Sequence, residues 1–230
     1  MFTLRAATPA DAPAISRVRA AVWPGEPTDA DRVAQALALP GRATLVAVEQ
    51  ESGAVVGFVD GFLTRSAQGV LRWEVDLLAT CPTHRWRGIG AALVAACTAA
   101  GQRHGAVLAR ALVHVDNTAS QRTFARCGYA ARPSPCALLV ATDGQAAQDG
   151  PPPPPGLHLI RVVTLSYRGL WLEGALTPAS FAAARAALCR DGLDVAGAVI
   201  PLSRAEALRA AQEAGFTRRG VYRWWRLACR

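Results

Sequence analysis

Along this chain the spacing of apolar positions switches repeatedly between two and three to four residues, which predicts strands alternating with amphipathic helices in an α/β protein. Residues 2 to 7 alternate as a strand does, and Thr8-Pro9-Ala10-Asp11 then marks a helix start, with proline in the first turn and an acid near the dipole's positive end. Ile15, Val18, Arg19 and Val22 continue a helical stripe until residues 23 to 28 break it. A second helix is predicted from Asp29 through Val33 and Leu37 to Leu39, stopped by Pro40-Gly41. Residues 43 to 50 and 54 to 64 read as a hairpin turning at Glu51-Ser52-Gly53. A strand over 71 to 80, a helix over 89 to 104 and a strand over 107 to 115 follow. Asp116-Asn117-Thr118-Ala119 opens another helix, closed by Cys127-Gly128-Tyr129.

The pattern then stops. Residues 145 to 156 hold five consecutive prolines, Pro151 to Pro155, which exclude helix and interior strand and read as a stiff polyproline spacer. Beyond it a shorter series begins: strands within 157 to 176 folded at Arg168-Gly169, a helix over 178 to 190, a strand over 195 to 202, a helix over 203 to 214 and a strand over 217 to 227. Ala214-Gly215-Phe216 repeats the helix-ending form of Cys127-Gly128-Tyr129. Three segments are therefore expected: a domain over 1 to 144, a linker over 145 to 156 and a degenerate repeat over 157 to 230.

Composition sharpens this picture only in places. With 230 residues, 51% hydrophobic and 18% charged, the chain is globular and long enough for one large domain or two small ones. Its net charge of +8 comes from arginine alone, with no lysine. The arginines are scattered and form no basic run, so nucleic acid is not an expected partner. The cysteines at 81, 97, 127, 136, 189 and 229 form no C-x-x-C pair and have no histidine companions, which argues for free thiols in a reducing cytoplasm and no metal. No signal pattern or membrane-length apolar run is present. A cytoplasmic protein with no membrane partner is expected, with room for a homodimer.

The chemistry centres on Arg85-Trp86-Arg87-Gly88-Ile89-Gly90, between a strand and an Ala-rich helix. A strand that turns through glycines into a helix presents free N–H groups at the positive dipole end, a cradle for a phosphate or pyrophosphate. A P-loop would need Gly-Lys followed by Ser or Thr, and a dinucleotide fingerprint a small residue where Leu93 stands. What remains is Arg-x-x-Gly-x-Gly preceded by Leu78-Ala79-Thr80-Cys81-Pro82. This resembles the signature of the GNAT superfamily of N-acetyltransferases. The order of elements and the segment Asn117, Ser120, Phe124, Gly128 and Tyr129 resemble that family as well, over about residues 2 to 142.

The resemblance implies a GNAT fold: a central, mostly antiparallel mixed sheet with one splayed parallel strand pair, flanked by helices and followed here by a smaller GNAT-like unit. It also implies acetyl-CoA as cofactor and transfer of acetyl to a primary amine of a small molecule or protein, by direct attack in a ternary complex. Leu78, Ala79 and Thr80 would hold pantetheine, with a backbone N–H near Leu78 polarising the carbonyl. Arg85, Trp86, Arg87, Gly88, Ile89, Gly90 and Ala91 would hold the diphosphate, and Asn117, Ser120 and Phe124 would border the cofactor arm. Glu74 stands where histone-acetylating members carry their base. Asp76 shares its strand face, and His114 is an alternate base.

Phe124 occupies the place of the family's proton-giving tyrosine and has no proton to give, so either the thiolate leaves without direct protonation or through water, or another group such as Tyr129 or Tyr167 stands in, or this member is slow or inactive. The acids of the usual specificity segment, Glu26, Asp29 and Asp31, would suit a cationic amine. An alternative reading is an acyl-CoA-binding sensor that turns nothing over. The second unit lacks the glycine motif: Pro178-Ala179-Ser180-Phe181 stands in its place, which implies a structural role.

Overall fold

A computed structural model of the protein describes residues 1–142 and 151–229. Residues 145 to 150 of the expected 145 to 156 spacer lie outside the described residues. In the first half, β1 (Phe2–Ala6) leads through a short 3-10 turn at Pro9–Asp11 into α1 (Ala12–Val22) and α2 (Ala30–Leu37). The antiparallel run β2 (Arg42–Glu49), β3 (Val55–Arg65) and β4 (Leu71–Thr80) follows. The Asp29 carboxylate accepts from the amides of Asp31 at 3.0 Å and Arg32 at 3.2 Å, so it caps α2 from outside the helix. After β4, α3 (Ile89–Arg103) crosses over to β5 (Leu108–His114), which is parallel to β4. Then come α4 (Thr118–Arg126), the short β6 (Ala130–Ala131) and β7 (Cys136–Thr142).

The second half repeats the later part of this order with β8 (Leu157–Val163), β9 (Arg168–Gly174), α5 (Pro178–Arg190), β10 (Val195–Pro201), α6 (Ala205–Glu213) and β11 (Thr217–Ala228). Two expectations need correction. The β8–β9 hairpin turns over residues 164 to 167, where Thr164 Oγ1 accepts from the amides of Ser166 at 3.0 Å and Tyr167 at 3.1 Å. Arg168-Gly169 lies inside β9 instead, and Gly169 serves packing: a Cβ there would stand 2.5 Å from the Val195 carbonyl oxygen. The second correction is β7, which no alternation announces. Cys136-Ala137-Leu138-Leu139-Val140-Ala141 is a continuous apolar run, and period alone does not identify such a strand.

All strands join one mixed sheet in the order β1-β2-β3-β4-β5-β11-β7-β10-β9-β8, with β6 on β11. The halves exchange strands. β11 runs along β5 from Tyr222↔His114 to Ala228↔Leu108, β7 runs along β10 from Val195↔Thr142 to Pro201↔Cys136, and β7 and β11 pair with each other. Helices lie on both faces: α1 and α2 pack through Ile15, Val18 and Val33 on Val46 and Phe58, and α3, α5 and α6 cover the opposite face. Trp73, Val75, Leu93 and Cys97 form the core under α3, while Leu139, Leu170, Leu188 and Ile200 form that under α5 and α6. Close seating of α3 depends on small residues, since a Cβ on Gly61 or Gly101 would fall 2.5 Å or less from Trp73 atoms.

The face that bears α1 and α2 curls inward. Phe62 of β3 packs against Ile160 and Val162 of β8, His158 Nε2 lies 3.0 Å from the Arg65 carbonyl, and Arg19 Nη1 donates to the Leu165 carbonyl at 3.0 Å. Arg42 bonds to both Asp60 and the Val163 carbonyl. The rolled sheet encloses a cavity of about 870 Å³, lined by both halves. No helix among the described residues is long and apolar enough to cross a membrane.

Candidate functional site

The loop between β4 and α3 ends in left-handed backbone. Trp86 has φ +67° and Gly88 φ +79°, a geometry that turns successive N–H groups to one side. The first hydrogen bond into α3 is donated by Ala92 to the Gly88 carbonyl at 3.0 Å. The amides of Gly88, Ile89, Gly90 and Ala91 precede it and have no intrahelical partner. Residues 85 to 88 are exposed, and a Cβ on Gly88 would meet no atom within 4 Å. This mouth therefore fits a diphosphate: open amides, the helix dipole, and Arg85 and Arg87 beside them. Arg87 also lies 3.7 Å from Glu49, which His84 contacts at 3.0 Å.

Next to the mouth, β4 parts from its parallel neighbour. β4 and β5 pair only at Arg72↔Leu108, Trp73↔Ala109 and Glu74↔Arg110, so residues 75 to 80 run on without β5. On the opposite side the β3 register shifts between Val59↔Leu78 and Gly61↔Val75, which places one extra residue, a bulge, at Asp76-Leu77. Leu78 and Thr80 are half-buried and Ala79 is buried on this free edge. An unpaired strand edge inside a sheet is a template for an extended, amide-bearing arm.

The two acids on this strand differ in their commitments. Glu74 is buried and receives Arg110 Nε on both oxygens, at 2.9 and 2.8 Å, and the Thr64 hydroxyl as well. Arg72 and Arg110 also reach across the cavity to Glu173 of β9, each at 2.9 Å. These arginines hold the Glu173 carboxyl below its ordinary value although burial pushes the other way. Asp76 makes no ion pair among the described residues and lines the cavity. Burial first, then the nearby Asp60 carboxylate, raises its pKa from 3.8 to about 7, against the opposing pull of Arg42. Glu74 is thus bound in a buried ionic lattice, while Asp76 lines the cavity with its pKa pushed up to about 7.

The remaining predicted residues are dispersed. Asn117 caps α4, its Oδ1 accepting from the Ser120 amide at 3.0 Å. Phe124 is only 3% exposed and meets Tyr129 edge-on at 5.1 Å within the core under α3. Tyr129 shares a 2.7 Å hydrogen bond with Thr98, and burial raises its phenol. Tyr167 lines the cavity, accepts Trp171 Nε1 at 3.0 Å, and is held protonated by burial and by Asp76. His114 is half-buried, edge-on to Tyr222 at 5.0 Å.

Sequence reasoning missed Tyr222, Arg226 and Glu173, all of which line the cavity. Trp224 lines it too, with the Arg110 guanidinium 4.2 Å above its ring. No local signal marks these residues, because β11 reaches β5 only through the strand exchange and Glu173 of β9 meets Arg72 and Arg110 only across the rolled sheet.

A model of the Acetyltransferase (GNAT) family matches residues 12–129. No curated protein matches the chain. Among solved structures, a GCN5-related N-acetyltransferase from Sphaerobacter thermophilus is similar with a TM-score of 0.64 at 18% identity, covering 100% of this chain and 96% of that one. A tandem GNAT protein from the clavulanic acid biosynthesis pathway has a TM-score of 0.59 at 13% identity, with 100% of this chain and 99% of that one covered. At these identities both likenesses speak to the fold. The Salmonella typhimurium protein yncA, whose structure contains its cofactor acetyl-CoA, is 25% identical with a TM-score of 0.51 over 59% of this chain and 83% of its own.

Proposed function

The chain belongs to the Acetyltransferase (GNAT) family, and from that premise we propose that it transfers the acetyl group of acetyl-CoA to a primary amine seated in the cavity between its two halves. The observation that carries this reading is the slot where β4 leaves β5, open at one end to the free amides of α3 and at the other to the cavity that Asp76 lines. Acetyl-CoA, when bound, supplies an activated acetyl thioester. The amides of residues 86 to 91 with Arg85 and Arg87 hold its diphosphate, and the free edge of residues 78 to 80 holds its pantetheine amides. A backbone N–H near Leu78 polarises the thioester carbonyl.

An alkyl ammonium is inert until it loses a proton, and Asp76 is the group placed to accept it. Its carboxylate combines cavity exposure with a pKa of about 7, close to the working range of a general base. Glu74, tied to Arg110 and Thr64, maintains the strand instead. Phe124 has no proton to give. Tyr222, whose phenol is kept protonated by burial and by Glu26, holds a proton on the strand beside β5. Leu77 and Leu112 line the same cavity and limit water near the thioester.

The test is thiol release from acetyl-CoA over a panel of amines, with Asp76→Asn as the variant. Turnover is expected to rise with pH through about 7 as Asp76 loses its proton. The variant is expected to lose roughly 100-fold or more in kcat and to lose that pH dependence. Unchanged turnover in Asp76→Asn, or calorimetry showing no heat with coenzyme A, overturns the reading.

A further inference from the structure

Charge is distributed unevenly around the cavity. The first half contributes Glu26 and Asp76, neither in an ion pair among the described residues. The second half contributes Arg204, Arg219 and Arg226, also without carboxylate partners among the described residues. The other lining carboxylates are committed: Glu173 to Arg72 and Arg110, and Asp194 to Arg32 and the Arg168 amide.

Arg226 is the telling residue. It stands opposite Arg110 in the β5–β11 register, and Arg110 stands opposite Glu74. Three guanidinium groups, those of Arg72, Arg110 and Arg226, share this corner with two carboxylates, Glu74 and Glu173, which leaves one positive charge unmatched. Arg226 Nε and Arg72 Nη2 are buried with no hydrogen-bond partner, and Arg72 is only 5% exposed. Buried arginine N–H groups without acceptors are costly and are retained where an anion arrives to satisfy the cluster. Burial first, and then the neighbouring Arg110, Arg132 and Arg72, lower the Arg226 pKa against the pull of Glu173.

We infer that this corner of the cavity binds an anionic group of the acceptor, so that the substrates are amines that also carry a carboxylate or phosphate. The inference rests on the acetyl-transfer reading above and names its substrate class. The two ends of the acceptor are held by different halves of the chain: the amine by Asp76 on β4, the anion by Arg226 on β11. These strands are two spacings apart, about 10 Å. Arg110, stacked on Trp224, forms the floor between them.

The experiment measures binding of matched amines to the protein saturated with coenzyme A, by calorimetry. Lysine is compared with cadaverine, which lacks only the carboxylate, and phosphoethanolamine with ethanolamine. At least one anion-bearing amine is expected to bind about tenfold or more tightly than its match without the anion, a difference of about 1.4 kcal/mol. Which pair shows it tells carboxylate from phosphate. Arg226→Met is expected to erase the preference while cadaverine binding holds, and Arg226→Lys to retain most of it. Equal binding within both pairs, no binding of any amine to a protein that does bind coenzyme A, or a preference that survives Arg226→Met overturns the inference and leaves the acetyl-transfer reading standing. Failure to bind coenzyme A at all defeats that reading instead.

Discussion

Two strand-to-helix junctions in this molecule occupy equivalent places in the two halves and are built in opposite ways. After β4, eight residues, 81 to 88, lead through left-handed backbone to a helix whose first amides are free. After β9, three residues, 175 to 177, lead directly into α5, where the Thr177 hydroxyl accepts from the Ser180 amide and Pro178 removes one donor. The adjoining parallel pairs differ in the same sense. β4 leaves β5 six residues before its end and bulges against β3, while β9 stays with β10 through Leu172↔Ala198, two residues from its end, in unbroken register with β8. The same topology thus makes a slot in one half and a closed joint in the other. Local backbone chemistry, not fold, decides which half is able to hold a nucleotide.

The largest effect expected from breaking this comparison comes from the strands the halves share. Removing residues 217 to 230 strips β5 and β7 of their common neighbour, so neither half is expected to fold, and the intact chain should melt in one transition by circular dichroism. A truncated chain that folds and binds coenzyme A would show the halves to be independent. Next in size is Gly88→Val, which forces a β-branched residue to φ +79° and puts a side chain in front of the open amides. Coenzyme A affinity by calorimetry is expected to fall about tenfold or more, with little change in far-ultraviolet circular dichroism; unchanged affinity would mean the mouth is not the diphosphate site. The smallest effect belongs to the other junction. Thr177→Ala removes a helix cap and should cost about 1 kcal/mol in denaturant melts while leaving coenzyme A binding untouched.

Asp76 adds a pH dependence opposite in sign to that of the ion-paired Glu173 and Asp194. Its folded-state pKa of about 7 lies above the ordinary 3.8, so the native state holds a proton more tightly than the unfolded chain between those values. Stability from this group is therefore lost as pH rises from about 4 to about 7. Turnover is expected to gain over the upper part of the same window, so the proposed base would come at a cost to the fold.

Much of the first half was legible. Thr8-Pro9 at a helix start, Asp29 at the start of the next, Gly88 before α3 and Cys127-Gly128 after α4 all express preferences of a few neighbouring residues, and those survive into the fold. The site was readable only where it depended on such preferences. Arg85 to Ala91 form the mouth the motif describes, but the motif does not separate Glu74 from Asp76. Two acids on one strand face look alike until Arg110 arrives from β5 to bind one of them. Phe124 and Tyr129 were recognisable by position, and only packing shows both turned into the core.

The sequence by itself determined the helix mouth and the order of elements, because backbone conformation at glycines, caps and periodic apolar faces is set within a few residues. Tertiary structure alone decided that β11 lies beside β5, that Asp76 faces a cavity while Glu74 is tied to arginines, and that Arg226 is left without a carboxylate. Each of these depends on which distant strand edges meet and how much water the rolled sheet excludes, and neither has a local signature in the chain.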